Sequence, residues 1–443
     1  MLRHEVKRPA EAIRPAVLVR QYLSADRDEL TGKFVECRLR SVRVVVSAGE
    51  ASGRAMLDLF RSEMAGLDPA CEVINLQNTA ELGPVFGFGE GLRTGPRLRG
   101  VLSRAEASVV KFDPDVAVLV SFSGLHLPLG RRLRRRGVPV LYLGPPQVWA
   151  WGGWRVRRLR RAADKVVCLF RFEEELLCRA GVDAVYFGYP LLDGVVSRLS
   201  REQVLEKLGF GPSERYVVFL PGSRPAETAH HEPLFRVAFK QLRRQASGVR
   251  GVMVMAGRDA GQKAEGRSQK AKRGGQEAEG GERPAVGMLY VSQHRYDVMR
   301  HADCACAVSG TVTAELSLLG VPMAVCYHLL WLSRMLARVL VRTRYFALPN
   351  ILAGTRLVPE VLDPEPDELN RMLAPLIQDS AERRRQLEGL AGVAAGLGPP
   401  GAMTRICALA RDLASACRRP GSGTGTKDHG HGGRPSSGLG QSA

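Results

Sequence analysis

Two short turns stand where the chain could hold a phosphate, and the first is Ser309-Gly310-Thr311. It follows a short apolar run and precedes a helical pattern, so its backbone N–H groups and the helix dipole would suit an anion. Glu315 comes within the first turns of that helix, where its carboxylate could accept hydrogen bonds from a ribose. The alternative is that Ser309 and Thr311 only cap the helix and Glu315 only complements its dipole.

The second such turn is Pro221-Gly222-Ser223-Arg224, which follows the apolar run 216–220. Arg224 is placed to meet a phosphate through charge-assisted hydrogen bonds, and Glu227 follows three residues later.

A third small-residue turn, 47–53, comes after the β-branched run 42–46. It contains Gly49, Glu50, Ser52 and Gly53, and small residues let a ligand approach the backbone. A plain tight turn between strand and helix is the alternative, because a lone glycine-rich turn has little specificity.

Gln147, Trp149 and Trp151 form a fourth group, directly after the predicted strand 138–143. Ligands of open α/β sheets bind outside the carboxyl ends of the strands, so this position favours a binding role.

The elements around these turns alternate between strands and helices, which predicts parallel sheets and an α/β fold. We expect a first domain over 41–195 and a second over 196–385, followed by helices over 386–417. Residues 1–40 are a polar extension, while 257–285 and 418–443 are low in complexity and predicted to be disordered. The predicted strands are 42–46, 71–76, 115–122, 138–143, 166–170, 216–220, 251–256, 286–291, 305–308 and 323–327.

The 443 residues carry a net charge of +19, which favours an anionic partner such as nucleic acid, a membrane surface or a phosphorylated substrate. The basic runs 131–136 and 155–165 lack interleaved aromatic residues, which disfavours nucleic acid. The loop 82–98 combines phenylalanines with arginines and suits a membrane edge, although it could equally pack on its own domain. The nine cysteines form no C-x-x-C pair, which argues against a zinc site or disulfide frame and for a cytoplasmic protein.

Taken together, the motifs resemble the lipid-A-disaccharide synthase family of glycosyltransferases. They occur in the family's order over roughly residues 42 to 410, and PQVWAW and LPNILAG are the most specific of them. The matching segments are SAGEASG (47–53), PQVWAW (146–151), Phe172-Glu173, GYPL (188–191), LPGSRPAE (220–227), SGTVTAE (309–315), GVPMAV (320–325), LPNILAG (348–354) and VPE (358–360).

The resemblance implies a GT-B fold, with two Rossmann-like domains facing a central cleft. It implies transfer of 2,3-diacylglucosamine from its UDP derivative to 2,3-diacylglucosamine 1-phosphate, forming a β-1,6 disaccharide with inversion. No metal or other cofactor is expected, and the enzyme would associate peripherally with the anionic inner membrane. The resemblance implies no oligomeric state.

The same resemblance assigns the candidate residues to two sides of that cleft. The donor side would contain Gly222, Ser223, Arg224, Glu227, Ser309, Gly310, Thr311, Glu315 and Asn350. The acceptor side would contain Gly49, Ser52, Gly53, Gln147, Trp149 and Trp151.

One departure concerns the catalytic base. The family's D-x-P-D-F-N run is matched here by 121–126, Ser-Phe-Ser-Gly-Leu-His, which has no carboxylate. Glu50 and His126 are the nearby candidates for the base, and His126 could instead be a satisfied histidine at a strand end. The departure leaves two alternatives: a UDP-sugar transferase with another acceptor, or an inactive UDP-binding paralogue.

Overall fold

The computed structural model describes residues 41–49, 51–76, 95–150, 152–246, 248–255, 288–328 and 344–416. Several predictions concern residues outside these ranges or side chains that are not described. They are the extension 1–40, the insertion 257–285, the tail 418–443, most of the loop 82–98, Glu50, Trp151 and the side chain of Ser52.

The first sheet is parallel throughout and has the spatial order β2-β1-β3-β4-β5-β6. Its strands are β1 (Arg43–Ala48), β2 (Glu72–Asn75), β3 (Val116–Val120), β4 (Val140–Leu143), β5 (Lys165–Val167) and β6 (Ala184–Val185). The accompanying helices are α1 (Ala51–Leu67), α2 (Gly95–Phe112), α3 (Ser123–Arg135), α4 (Arg155–Ala162) and α5 (Arg171–Arg179). All five residues of β3 are buried, as expected of a parallel strand covered on both faces.

The second sheet repeats this architecture with the order β12-β11-β10-β7-β8-β9, again all parallel. Its strands are β7 (Arg215–Leu220), β8 (Val249–Val254), β9 (Leu289–Val291), β10 (Cys304–Val308), β11 (Met323–Tyr327) and β12 (Glu360–Leu362). Its helices are α6 (Arg201–Leu208), α7 (Pro225–Gln245), α8 (Arg295–Arg300), α9 (Thr311–Leu319), α10 (Leu348–Ala353), α11 (Pro366–Ile377) and α12 (Ala381–Gly396). The α/β prediction is confirmed.

Each sheet is covered by an apolar core on both faces. The last described helix, α13 (Ala402–Ala416), returns to the first sheet and packs against α1. Ile406 and Ala410 of α13 are fully buried in the same core as Phe60 of α1. In contrast, α12 packs on α9 and contributes Leu390 to the second core. After α12, the chain therefore returns from the second sheet to the first.

In the described ranges, no helix combines the length and apolar character needed to cross a membrane.

Candidate active site

The two phosphate-type turns lie side by side at the point where the strand order of the second sheet reverses. Strands β7 and β10 are neighbours there, and residues 221–224 and 309–311 follow their carboxyl ends. This is the place where open α/β sheets bind their ligands. The structure thus brings together two segments that lie more than 80 residues apart in the sequence.

Glu227 organises the first of these turns. Its Oε2 atom accepts hydrogen bonds from the backbone N–H groups of Ser223 (3.2 Å) and Arg224 (3.3 Å). Its Oε1 atom accepts from Nη1 of Arg224 at 2.7 Å, while the Arg224 side chain stays 47% exposed. Gly222 has φ +103°, a left-handed conformation that a side chain would strain. The carboxylate therefore orders a turn whose guanidinium remains accessible to an anion.

The Ser309 hydroxyl holds the second turn in place. It donates to the backbone carbonyl of Phe346 at 2.8 Å, which ties the turn to the segment before α10. Gly310 is the N-cap residue of α9, and no side chain caps this helix. The alternative that Ser309 and Thr311 are there to cap α9 through their side chains is therefore wrong. The exposed Gly310 leaves open space in front of the helix start.

Glu315 is buried within α9, with only 4% of its surface exposed, and it pairs with Arg295 of α8. Burial opposes the charge of Arg295, but the adjacent carboxylate outweighs it and raises the pKa of the guanidinium. Arg295 also lies over the ring of Tyr296, 4.5 Å from its centroid. If a ribose bound here, one of the two carboxylate oxygens of Glu315 would already be bonded to Arg295. Sequence reasoning missed Arg295, which no local pattern distinguished.

Asn350 is completely buried at the start of α10. Its Oδ1 atom accepts from the backbone N–H groups of Leu357 and Val358, both at 2.8 Å, and its Nδ2 donates to the Val358 carbonyl at 2.9 Å. The amide thus holds the segment before β12 against α10. Because α10 packs on α9, the same amide supports the Ser309 turn indirectly.

Of the residues predicted for the acceptor side, Gly49 directly follows β1, and Gln147 and Trp149 lie in the loop after β4, so they follow the carboxyl ends of strands in the first sheet, where β1, β3 and β4 are adjacent. Gly49 follows β1 and faces Phe122, which follows β3. A Cβ atom at Gly49 would lie 2.2 Å from the Phe122 ring, so only glycine fits. Ser121 and Phe122 both have left-handed backbones, with φ of 52° and 49°. Consecutive strained residues of this kind persist where the surroundings hold them, and they are frequent at functional sites.

His126 is one of the groups that hold this turn. Its Nδ1 atom lies 2.8 Å from the carbonyl oxygen of Ser121, which can only accept, so Nδ1 carries the proton. Its Nε2 atom then accepts from the Ser47 hydroxyl at 2.9 Å. Complete burial lowers the pKa of His126 to about 4, so the imidazole is neutral at physiological pH. The Ser121 carbonyl also accepts from the Tyr142 hydroxyl at 2.8 Å.

Trp149 is anchored by Glu173, the second residue of the Phe172-Glu173 pair. The indole Nε1 donates to Oε1 of Glu173 at 2.9 Å, and the indole meets the Phe172 ring edge-on at 5.2 Å. The other oxygen of Glu173 accepts from the N–H groups of Leu169 and Phe170. Burial raises the pKa of Glu173 to about 7, although these hydrogen bonds oppose the shift.

Gln147 lies in the same loop and is exposed, while Gly53 is buried inside α1. The sequence signal for the anchoring role of Glu173 is a glutamate three residues after Phe170, the N-cap residue of α5.

Arg155 is a second residue whose place sequence reasoning missed. It belongs to a basic run that would ordinarily face solvent, but it is only 6% exposed and its Nη1 atom lies 3.5 Å from the Ser123 hydroxyl. Burial lowers its pKa to about 10, so it remains a cation at neutral pH. A buried cation beside the 121–123 turn can attract an anionic ligand to this edge of the sheet.

A cavity of about 580 Å³ lies between elements of the two sheets. From the first sheet it is lined by α5 and Tyr186, and from the second by α10 and α12. The fully buried Tyr189 also interacts electrostatically with Glu315 and Arg295 of the second sheet. The two halves therefore meet along one cleft.

Comparison with known proteins identifies the family. The model of the lipid-A-disaccharide synthetase family matches residues 44–389. The lipid-A-disaccharide synthase of Solibacter usitatus is 32% identical over 374 residues, 79% of this chain and 92% of that protein. That of Geobacter sulfurreducens is 30% identical over 409 residues, 84% of this chain and 97% of that protein. The chain belongs to the lipid-A-disaccharide synthetase family.

Solved structures show the fold of this lipid-A-disaccharide synthetase family member. The UDP-GlcNAc 2-epimerase from Neisseria meningitidis bound to UDP-GlcNAc has a TM-score of 0.54 at 11% identity, covering 84% of this chain and 99% of that one. The UDP-N-acetylglucosamine 2-epimerase from Rickettsia bellii has a TM-score of 0.52 at 13% identity, covering 85% and 98%. With two parallel sheets and a returning C-terminal helix, the architecture is GT-B, as predicted, and the chain is a glycosyltransferase.

Proposed function

We propose that this chain transfers 2,3-diacylglucosamine from its UDP derivative to the 6-hydroxyl of 2,3-diacylglucosamine 1-phosphate, with inversion. The observation that carries the proposal is the family match over 44–389, which includes both turns at the β7/β10 switch point. The Neisseria structure, which has the same fold, holds a UDP-sugar, and this supports a nucleotide-sugar donor here.

In this proposal, the leaving UDP is stabilised by the second sheet. The exposed guanidinium of Arg224 and the N–H groups at the start of α9 would meet its diphosphate. Glu315 would hold the ribose, with Arg295 fixing the carboxylate. Asn350 would act on the donor side by ordering the segments that border this site.

The acceptor would occupy the opposite edge, formed by the first sheet. Gly49 gives access to the β1 backbone, and the anchored Trp149 offers an aromatic wall with Gln147 beside it. Arg155 would attract the 1-phosphate of the acceptor through its buried charge. Ser52, Gly53 and Trp151 remain predicted members of this side.

We further propose that the enzyme binds peripherally to the anionic inner leaflet of the inner membrane. Three arginines of the 131–136 run pair with Glu106 or Asp164 and are thus partly neutralised. Other arginines of this surface are exposed, and Arg158 lies 4.4 Å from the centroid of the 56% exposed Trp154 ring. The exposed set is Arg131, Arg135, Arg157, Arg158, Arg160 and Arg161. Flotation with phosphatidylglycerol vesicles, against neutral vesicles, tests this location.

The deciding experiment is a transfer assay with purified protein, both lipid substrates and detergent, following UDP and disaccharide together. Formation of both products establishes the proposed reaction. UDP without disaccharide favours the alternative of another acceptor, or donor hydrolysis. If neither product forms, while the wild type still binds UDP and Arg224→Ala does not, the inactive paralogue is favoured.

The identity of the base is tested in the same assay with Glu50→Gln and His126→Ala. The Nε2 atom of His126 accepts from the Ser47 hydroxyl. His126 could therefore receive the acceptor proton only if the acceptor hydroxyl took the place of Ser47 at this nitrogen. The absence of a carboxylate from 121–126 is the observation that keeps the two alternative functions under test.

We propose that protein cations, rather than a metal, neutralise the leaving group, because the exposed Arg224 guanidinium and the N–H groups at the start of α9 follow adjacent strands and could meet it together. Within the described ranges, no group of three His, Cys, Asp or Glu side chains is arranged to hold a metal ion. Activity should therefore persist in EDTA at a concentration that inhibits a magnesium-dependent glycosyltransferase run in parallel. Loss of activity restored by one added divalent cation would refute this part of the proposal.

A further inference from the structure

Three histidines converge at the carboxyl edge of the second sheet, and the mechanism above uses none of them. His230 and His231 lie in the second turn of α7, and His328 directly follows β11. The rings of His230 and His328 stack with centroids 3.5 Å apart and an angle of 22° between their planes. Nothing in the sequence links them, because they are almost 100 residues apart.

The cluster is held in place by carboxyl and carbonyl oxygens. Nδ1 of His328 lies 2.6 Å from the Asp363 carboxylate, which follows β12. Nδ1 of His231 donates to the Glu227 carbonyl at 2.8 Å, and its buried Nε2 has no hydrogen-bond partner among the described residues. Among the described residues, His231 lies against His230 and Asp363 pairs with His328, while Glu227 acts on His231 from the same helix.

This histidine pair borders the proposed diphosphate site. The β10–β11 register pairs Val308 with Cys326, and the N–H of Ser309 donates to the Cys326 carbonyl. His328 directly follows β11 and Gly310 comes two residues after β10, so both lie at the carboxyl ends of adjacent strands. On its other side, His230 is three residues beyond Glu227, the carboxylate that orders the Arg224 turn.

Protonation of His230 depends on the charged groups next to its ring. Partial desolvation lowers the pKa of His230, although the residue is largely exposed, and the neighbouring His328 lowers it further, because two stacked imidazolium rings would repel. A diphosphate bound at Gly310 would reverse this balance and favour the charged form. Binding would then take up a proton.

We propose that His230 and His328 form a proton-dependent contact to the diphosphate of the nucleotide-sugar donor. The inference rests on the proposed donor site and adds a pH-dependent element to it. Donor affinity then rises as pH falls from 8 to 6, because a protonated His230 ring, stacked on His328, attracts the diphosphate. Asp363 fixes the orientation of His328 so that its other nitrogen is available to the ligand.

The test measures UDP affinity by calorimetry at pH 8 and pH 6 for the wild type and for His230→Gln/His328→Gln. The terminal phosphate of UDP itself titrates near pH 6, but this affects both proteins equally. The wild type should therefore gain about fivefold more affinity than the double variant between the two pH values, the upper end of the contribution of an exposed ion pair. His301→Gln is the matched control, since His301 bonds to the Leu199 carbonyl away from this site.

An equal pH response in wild type and double variant, with both folded by circular dichroism, overturns the inference but leaves the donor site intact. The single variant His230→Gln, at an exposed position, provides the same comparison if the double variant does not fold. Absence of UDP binding by the wild type instead counts against the proposed function. Uridine, measured by competition with UDP, should show no difference between the proteins. A difference there would place the histidines on the base and overturn the diphosphate assignment.

Discussion

The Arg224 side chain is bonded to a carboxylate and is also exposed to solvent. Its guanidinium is bonded to Glu227, yet nearly half of the side chain is exposed beside the start of α9. We expect Arg224→Ala to lower kcat/KM for the donor about 100-fold, because a preorganised cation facing a leaving group contributes on this scale. Steady-state kinetics of UDP release measures it.

Arg236→Ala is the matched control for Arg224, because Arg236 lies on the exposed face of the same helix. Its kinetics should stay within about twofold of wild type, since isolated surface charges contribute little. Wild-type kcat/KM in Arg224→Ala would remove this residue from the donor site.

His126 makes a second prediction at the residue scale, on stability. Its pKa is near 4 in the fold but 6.5 in the unfolded chain, so protonation favours unfolding. The contribution of the neutral imidazole is complete above pH 6.5 and is lost as pH falls towards 4. Denaturant titrations of wild type between pH 7 and pH 4.5 should show roughly 2 to 3 kcal/mol of this loss, absent from His126→Asn. The difference between the two proteins isolates the His126 contribution from that of the other groups. Parallel pH curves for the two proteins would contradict the neutral state.

At the element scale, the sequence predicted all the interior strands and the edge strands β2 and β9, and it missed the edge strands β6 and β12. Runs such as 116–120 are apolar throughout because helices cover both faces, and such runs are conspicuous. The edge strands β6 and β12 have two and three residues, too few to show a pattern. The turns after β7 and β10 were recognisable because small residues directly follow buried strands. Arg295 was not, because its partner Glu315 is defined only by the packing of α8 on α9.

Asn350 provides the prediction for α10 and the segment before β12. Removing its amide leaves the buried N–H and carbonyl of Val358 without their partners, whereas the Leu357 N–H keeps the Thr355 carbonyl, so Asn350→Ala should lower the free energy of unfolding by roughly 2 to 4 kcal/mol. Urea denaturation measures the loss. Asn370→Ala is the matched control: Asn370 is also buried but makes a single hydrogen bond, to Gln241, so about 1 kcal/mol is expected. Lost donor binding at unchanged stability would place the amide in direct contact with the donor.

At the scale of the whole molecule, the two α/β halves and their order could be predicted, whereas their connections could not. The sequence predicted helices over 386–417, and nothing in their composition assigned α12 to the second core and α13 to the first. That assignment depends on contacts between distant segments. The N–H of Tyr189 donates to the Leu397 carbonyl, and the N–H of Gly401 donates to Asp193. The GYPL motif therefore packs against the returning chain. Only glycine fits at position 188, because a Cβ atom there would lie 2.8 Å from the Pro399 carbonyl oxygen.

The returning helix makes the first domain dependent on the end of the chain, and a substitution pair on α13 tests this. Ala410 is fully buried against α1, whereas Ala408 is exposed on the same helix. Ala410→Asp places a carboxylate in that core and should destabilise the first domain by about 3 kcal/mol or more, while Ala408→Asp should change stability by less than about 0.5 kcal/mol. Hydrogen exchange measures this domain by domain. In Ala410→Asp, the amides of β1 and β3 should lose protection while those of β7 and β10 keep theirs, because the second core contains no residue of α13. Equal loss of protection in both sheets would mean that the two halves unfold as one unit, so that α13 stabilises the whole enzyme rather than its first domain.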